Sequence, residues 1–176
     1  VTTRAMVIGL GQPDRGDDAV GAAVAARVAP LAGPHVTVLT REDPTALVQS
    51  WDGAQIAVLI DAIVSGGEPG AVTVRHAGVD DAPLPTDAFA AAGRGGSHAF
   101  GVAGAVELSR TLGTLPRHVA IVGVEAATFD HGPMSSHVVA AIDDAVAIVI
   151  AELARALSDV EDVELDEAEA GASSCA

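Results

Sequence analysis

The chain has no lysine, no asparagine and no tyrosine, one tryptophan, three phenylalanines and one cysteine in 176 residues. Without lysine there is no Schiff base, no P-loop lysine and no lysine general base. The single cysteine, Cys175, stands second from the end. That excludes a disulfide framework and zinc-finger spacing, argues against a cysteine nucleophile, and fits a cytoplasmic location. No apolar run reaches the roughly 18 residues of a membrane span, so no membrane association is expected. No charged region followed by an apolar stretch and a cleavage site opens the chain, so no secretory signal is expected. Basic residues are scarce as well: nine Arg against 24 acidic residues give a net charge of −15. Nothing here would draw in a phosphate backbone, which excludes nucleic acid as a partner. A monomer is expected.

Small aliphatic residues dominate what is present; nearly half the chain is apolar, mostly Ala, Val, Ile and Leu. Such residues suit parallel strands covered by helices on both faces. The expected fold is therefore a three-layer αβα domain with a twisted, mostly parallel central sheet. One domain spans residues 1–157. Seven acids fall in residues 158–176, and this small-residue-rich tail is expected to be disordered.

The domain is organised around residues 5–28. The apolar run Ala5–Leu10 reads as a buried strand, and Val20, Ala23, Val24 and Val28 follow helical spacing. Between them lies a glycine turn carrying Asp17 and Asp18. Strand, glycine turn and helix open a doubly wound domain, whose ligand crevice lies beyond the carboxyl ends of the strands. Further strands are expected at Val36–Leu39, at Gln55–Ile60 ending at Asp61, at Ala71–Arg75 along an edge, and at His118–Val124. A short helix is expected at Thr45–Trp51, with Asp43 as its N-cap and Pro44 in its first turn. Longer helices are expected at Ser97–Leu112 and Ser136–Leu157, separated from the earlier strands by a loop over residues 76–96 with no clear period.

Three positions stand out chemically. The glycine spacing fails the dinucleotide fingerprint, because Asp14 takes the third glycine's place, and acids at a helix start repel a pyrophosphate. Helix capping would occupy one of Asp17 and Asp18, leaving the other for a different task. Asp61 ends a strand too apolar to be a surface strand, and such a residue faces the crevice. His98 opens a helix after the flexible Gly93–Ser97 stretch, whereas His35, His76, His118 and His137 sit in turn, strand-edge or solvated settings. Asp18, Asp61 and His98 form a two-carboxylate, one-imidazole set able to hold nickel, zinc, cobalt or manganese. Open positions would let the ion meet a substrate. A serine-nucleophile elbow is absent, while a carboxylate-dyad protease stays open at this level.

Taken together, Gly9-x-Gly11 with Gly16-Asp17-Asp18-x-x-Gly21, Asp61-Ala62-Ile63-Val64, Ser97-His98 and Val122-Gly123-Val124 before a His-Gly turn resemble the NiFe hydrogenase maturation proteases. The resemblance runs from about Met6 to Leu157. It implies a metal-dependent endopeptidase that removes a C-terminal extension from a NiFe hydrogenase large-subunit precursor after nickel insertion. It also implies that Asp18, Asp61 and His98 are the metal-recognising and catalytic residues. Nickel would be supplied by the substrate rather than permanently bound, with water activated either by the metal or by a carboxylate. The alternative is a non-catalytic nickel-sensing or docking protein of the same fold; a nucleotide-binding oxidoreductase is disfavoured by the glycine spacing. Departures from the family pattern are Gln12 for an Asn, Arg41-Glu42-Asp43-Pro44-Thr45 where a Gly-Thr pair is usual, and Ala126 for a Pro. These bear on substrate docking more than on metal chemistry.

Overall fold

The computed structural model describes residues 4–84 and 101–173. Its strands are β1 (Ala5–Leu10), β2 (Val36–Arg41), β3 (Ile56–Ile63), β4 (Val72–His76) and β5 (His118–Glu125). The helices are α1 (Val20–Val28), α2 (Leu47–Ser50), α3 (Val102–Leu112) and α4 (Ser136–Ser173), with 3-10 turns at Gly16–Ala19 and Pro44–Ala46. The strands form one sheet in the order β2-β1-β3-β5-β4. All ladders are parallel except β4–β5, so β4 is the antiparallel edge strand.

Side chains alternate along each central strand and divide the core in two. Val7, Val58, Ile60 and Val122 face α1 and α4. Met6, Ile8, Leu59 and Ile121 face α2 and α3, and Trp51 is buried in that second layer with its indole N–H on Ser109 Oγ at 3.0 Å. Burial on both faces is why these strands read as continuous apolar runs rather than alternating ones. The three-layer α/β architecture is the one expected. Asp43 caps its helix as expected, accepting from the Thr45 N–H at 2.8 Å.

Two boundaries differ in ways that matter. Strand β3 does not stop at Asp61 but runs on to Ile63, because β5 continues to pair with it through Asp61↔Gly123, Ala62↔Val124 and Ile63↔Glu125. Helix α4 does not end near Leu157 but continues to Ser173. Val160 extends its buried stripe past the expected end, and Ala, Glu and Leu are good helix formers. Residues 97–100, the expected start of α3, lie outside the described residues, as does most of the long loop before them.

The connections locate the crevice. From β1 the chain moves one way to β2 through α1, then returns to the other side of β1 through α2 on the opposite face. The carboxyl ends of β1 and β3 are therefore the topological switch point, where loops diverge and leave a cleft.

Candidate active site

Both sequence-nominated aspartates sit at this switch point. The β1–β3 ladder ends at Gly9↔Ile60, so Asp61 is the first residue of β3 beyond it. Its side chain is half-buried on the face shared with Leu59 and Ile63. Its β5 neighbour is Gly123, where a side-chain carbon would run into Ile63. Asp18 lies in the 3-10 turn that follows β1 and is 3% exposed. Its Oδ2 accepts the Gln12 N–H at 3.0 Å.

The loop glycines bring this turn in. Gly9 and Gly21 press β1 and α1 backbone against backbone, and a side chain at Gly21 would also strike the Ile60 carbonyl. Gly11 has φ +114° and lies directly against the Asp18 carbonyl. The glycines that resemble a nucleotide loop serve to seat Asp18 beside the ends of β1 and β3.

Asp17 does something else. The sequence pattern predicts that one of the two acids caps the helix, but neither side chain caps α1, because the 3-10 turn sets both acids ahead of the helix's first turn. Asp17 is completely buried and reaches across to the loop after β5. It accepts from the backbone N–H groups of Ala127 (2.7 Å), Thr128 (3.1 Å) and Ser135 (2.6 Å), and from Ser135 Oγ at 3.0 Å. Ser135 Oγ also accepts the Val138 N–H at 3.4 Å, so Asp17 grips the residue that caps α4. Burial pushes the Asp17 carboxyl up, but these hydrogen bonds outweigh it and hold it below the ordinary carboxylate range.

A second buried acid, Glu125, was not singled out by sequence. It ends β5 and takes the Ser65, Gly66 and Gly67 N–H groups and the Ser65 hydroxyl at 2.7–3.1 Å. Burial pushes its carboxyl up; the Ser65, Gly66 and Gly67 hydrogen bonds pull it further down. The strand-end rule that flagged Asp61 applies equally to Glu125, and β5 is just as apolar as β3. Glu125 is a loop clamp, so strand-end position alone does not separate a reactive carboxylate from a structural one.

His98 lies outside the described residues. Among the described residues no three His, Cys, Asp or Glu side chains are grouped to hold a metal. Asp18 and Asp61 are the two sequence-nominated carboxylates that the structure places at the crevice. Only residues 113–117 separate helix α3 from β5, which starts at the opposite edge of the sheet alongside Ile56. Helix α3 therefore runs away from the carboxyl edge, and the chain enters it from the crevice side.

Comparison with known proteins settles the family. A protein-family model described as hydrogenase maturation protease matches residues 42–152, more than half of the chain. The chain belongs to the hydrogenase maturation protease family. The matched range begins after the glycine loop and so does not include Asp18. No curated protein sequence matches. The fold is shared with the hydrogenase maturating endopeptidase HybD from E. coli, at a TM-score of 0.70 and 21% identity over 87% of this chain and 93% of that one. An endopeptidase from E. coli superposes at a TM-score of 0.71 with 22% identity, covering 86% of this chain and 92% of the other. The maturation protease HycI from Thermococcus kodakarensis gives 0.58 and 20%, over 86% and 92% of the two chains. Among the described residues no helix is long and apolar enough to cross a membrane.

Proposed function

We propose that this maturation protease is an endopeptidase that removes the C-terminal extension of a NiFe hydrogenase large-subunit precursor once nickel has been inserted. The observation that carries the reading is the pair Asp18 and Asp61 at the β1/β3 switch point of a chain in this family. In the proposal, nickel belongs to the precursor and not to the enzyme. Asp18 and Asp61 offer it hard oxygen donors, and His98, ahead of the helix that begins beside the crevice, offers an imidazole; carboxylate and imidazole donors suit Ni²⁺. Cleavage then depends on metal loading, because an empty precursor lacks the ion that these three residues engage. Asp17 and Glu125 have a different part: their hydrogen bonds hold the loops around the crevice in place.

The test uses purified protein with nickel-loaded and nickel-free precursor, followed by intact mass. Loss of a C-terminal peptide from the loaded form alone is expected. Binding of a precursor known to be cleavable in cell extract, with no change of mass, would favour the non-catalytic sensor instead. Equal cleavage of both forms would remove nickel recognition from the proposal and leave the protease.

A further inference from the structure

Arg15 is the unusual cation of this molecule. Most arginines here have their guanidinium engaged: Arg110 by the Ala77, Gly78 and Val79 carbonyls, Arg155 by Glu152 and Asp159. Arg15, Arg75 and Arg117 make no side-chain hydrogen bond or ion pair within the described residues. Arg75 and Arg117 are exposed, where water suffices; Arg15 is half-buried.

Its backbone is also held on several sides. Its N–H donates to the Gln12 carbonyl at 3.3 Å, its carbonyl accepts the Asp18 N–H at 3.1 Å, and it forms a β-bridge with Gly132. The exposed His131 ring lies alongside, its Nδ1 3.3 Å from the Asp14 carbonyl. Of the neighbouring carboxylates, Asp17 is engaged with the loop after β5 and Asp18 with Gln12, while Asp14 is exposed to water and makes no side-chain hydrogen bond or ion pair among the described residues. A partly buried cation on an anchored stretch of backbone, without a side-chain partner among the described residues of a chain of net charge −15, is suited to receive an anion from outside.

We infer that Arg15 is a specificity-determining residue that receives a carboxylate of the precursor's C-terminal segment at the rim of the crevice. The inference rests on the proposed protease reading. The planar guanidinium fork matches a carboxylate in two parallel hydrogen bonds, which a lysine or a lone imidazole does not offer. The rest of the acidic surface repels carboxylates, so the pairing selects where the segment lies more than it raises overall affinity. The carboxylate is either the chain terminus or an Asp or Glu side chain, and the two are separable.

The experiment measures binding of synthetic peptides matching the precursor's C-terminal segment to the full-length protein, and cleavage of the intact loaded precursor. Three peptides are compared: the free acid, its C-terminal amide, and a version with Asp and Glu replaced by Asn and Gln. Arg15→Gln is expected to weaken the free acid about tenfold, to raise KM for the precursor rather than lower kcat, and to leave the melting temperature unchanged; Arg15→Lys recovers part of the loss. On the wild type, amidation alone weakening the peptide identifies the terminus, and the Asn/Gln version alone weakening it identifies a side chain. Weakening of all three peptides equally by Arg15→Gln, or no weakening in an enzyme that cleaves its precursor, overturns the inference while the protease reading stands. A wild type that neither binds nor cleaves overturns both. The peptide comparisons on wild type keep the test decisive should Arg15→Gln fold poorly.

Discussion

The two edges of the sheet treat their charges in opposite ways. At the carboxyl edge, Asp17 and Glu125 are buried and held by backbone N–H groups of two loops, the one after β5 and the one after β3. At the amino edge, His76 hydrogen-bonds Glu152, which with Arg155 and Asp159 forms a chain of ion pairs bordering a cavity of about 190 Å³, and Glu152 is the least exposed of the four. The first arrangement fixes backbone and so fixes geometry. The second pairs long side chains near water, where screening and side-chain entropy leave little net gain. It is the carboxyl edge, with its loops fixed in this way, that carries Asp18 and Asp61.

The comparison can be broken at several points. The largest effect is expected from Asp61→Ala, which should reduce precursor cleavage on the order of a thousandfold, in the range positioned acid–base and metal-binding groups contribute. Its melting temperature should stay near wild type, since Asp61 is only half-buried. A correctly folded Asp61→Ala enzyme with full activity would move the chemistry elsewhere. Next is Asp17→Ala, which strands three backbone donors in a buried site and should cost about 3 kcal/mol of stability, measured by denaturant unfolding.

The pH dependence follows from the same two clamps. Both folded carboxyls lie below their ordinary values of 3.8 for Asp17 and 4.5 for Glu125. Their contribution is therefore fully present above those values and is lost as pH falls below them through the folded pKa. Stability measured from pH 5 downwards should fall more steeply in wild type than in the Asp17→Asn/Glu125→Gln double variant; parallel curves would show that the clamps are not what acid breaks. The smallest effect belongs to the amino edge. Glu152→Gln should cost less than about 1 kcal/mol and leave cleavage unchanged, checked by melting and by precursor mass. A large loss of cleavage there would mean that the two edges are not functionally separate.

Much of the fold was legible in the residues because burial on both faces writes itself as unbroken aliphatic runs; β1, β3 and β5 were readable for that reason. Their ends were less so. Asp61 breaks the apolar run without ending the strand, since ladder pairing depends on β5 and not on hydrophobicity. The continuation of α4 past Leu157 was hidden because acidic composition suggests disorder, whereas Val160 still keeps helical register with the core. At the site, strand-end position singled out Asp61, loop position singled out the pair Asp17 and Asp18, and the family resemblance pointed to Asp18. The division of labour between Asp17 and Asp18 was not legible, because it is decided by N–H groups at residues 127, 128 and 135, more than a hundred positions away.

That division of labour gives the most direct test. Asp17→Asn and Asp18→Asn change neighbouring residues by the same atoms, and each keeps an acceptor oxygen. Both would be assayed for melting temperature and for cleavage of nickel-loaded precursor. The expected result is that Asp18→Asn melts close to wild type and no longer cleaves, while Asp17→Asn loses stability and, below its melting point, retains cleavage. An Asp18→Asn protein that trims the precursor at the wild-type rate would contradict the assignment of the crevice carboxylates.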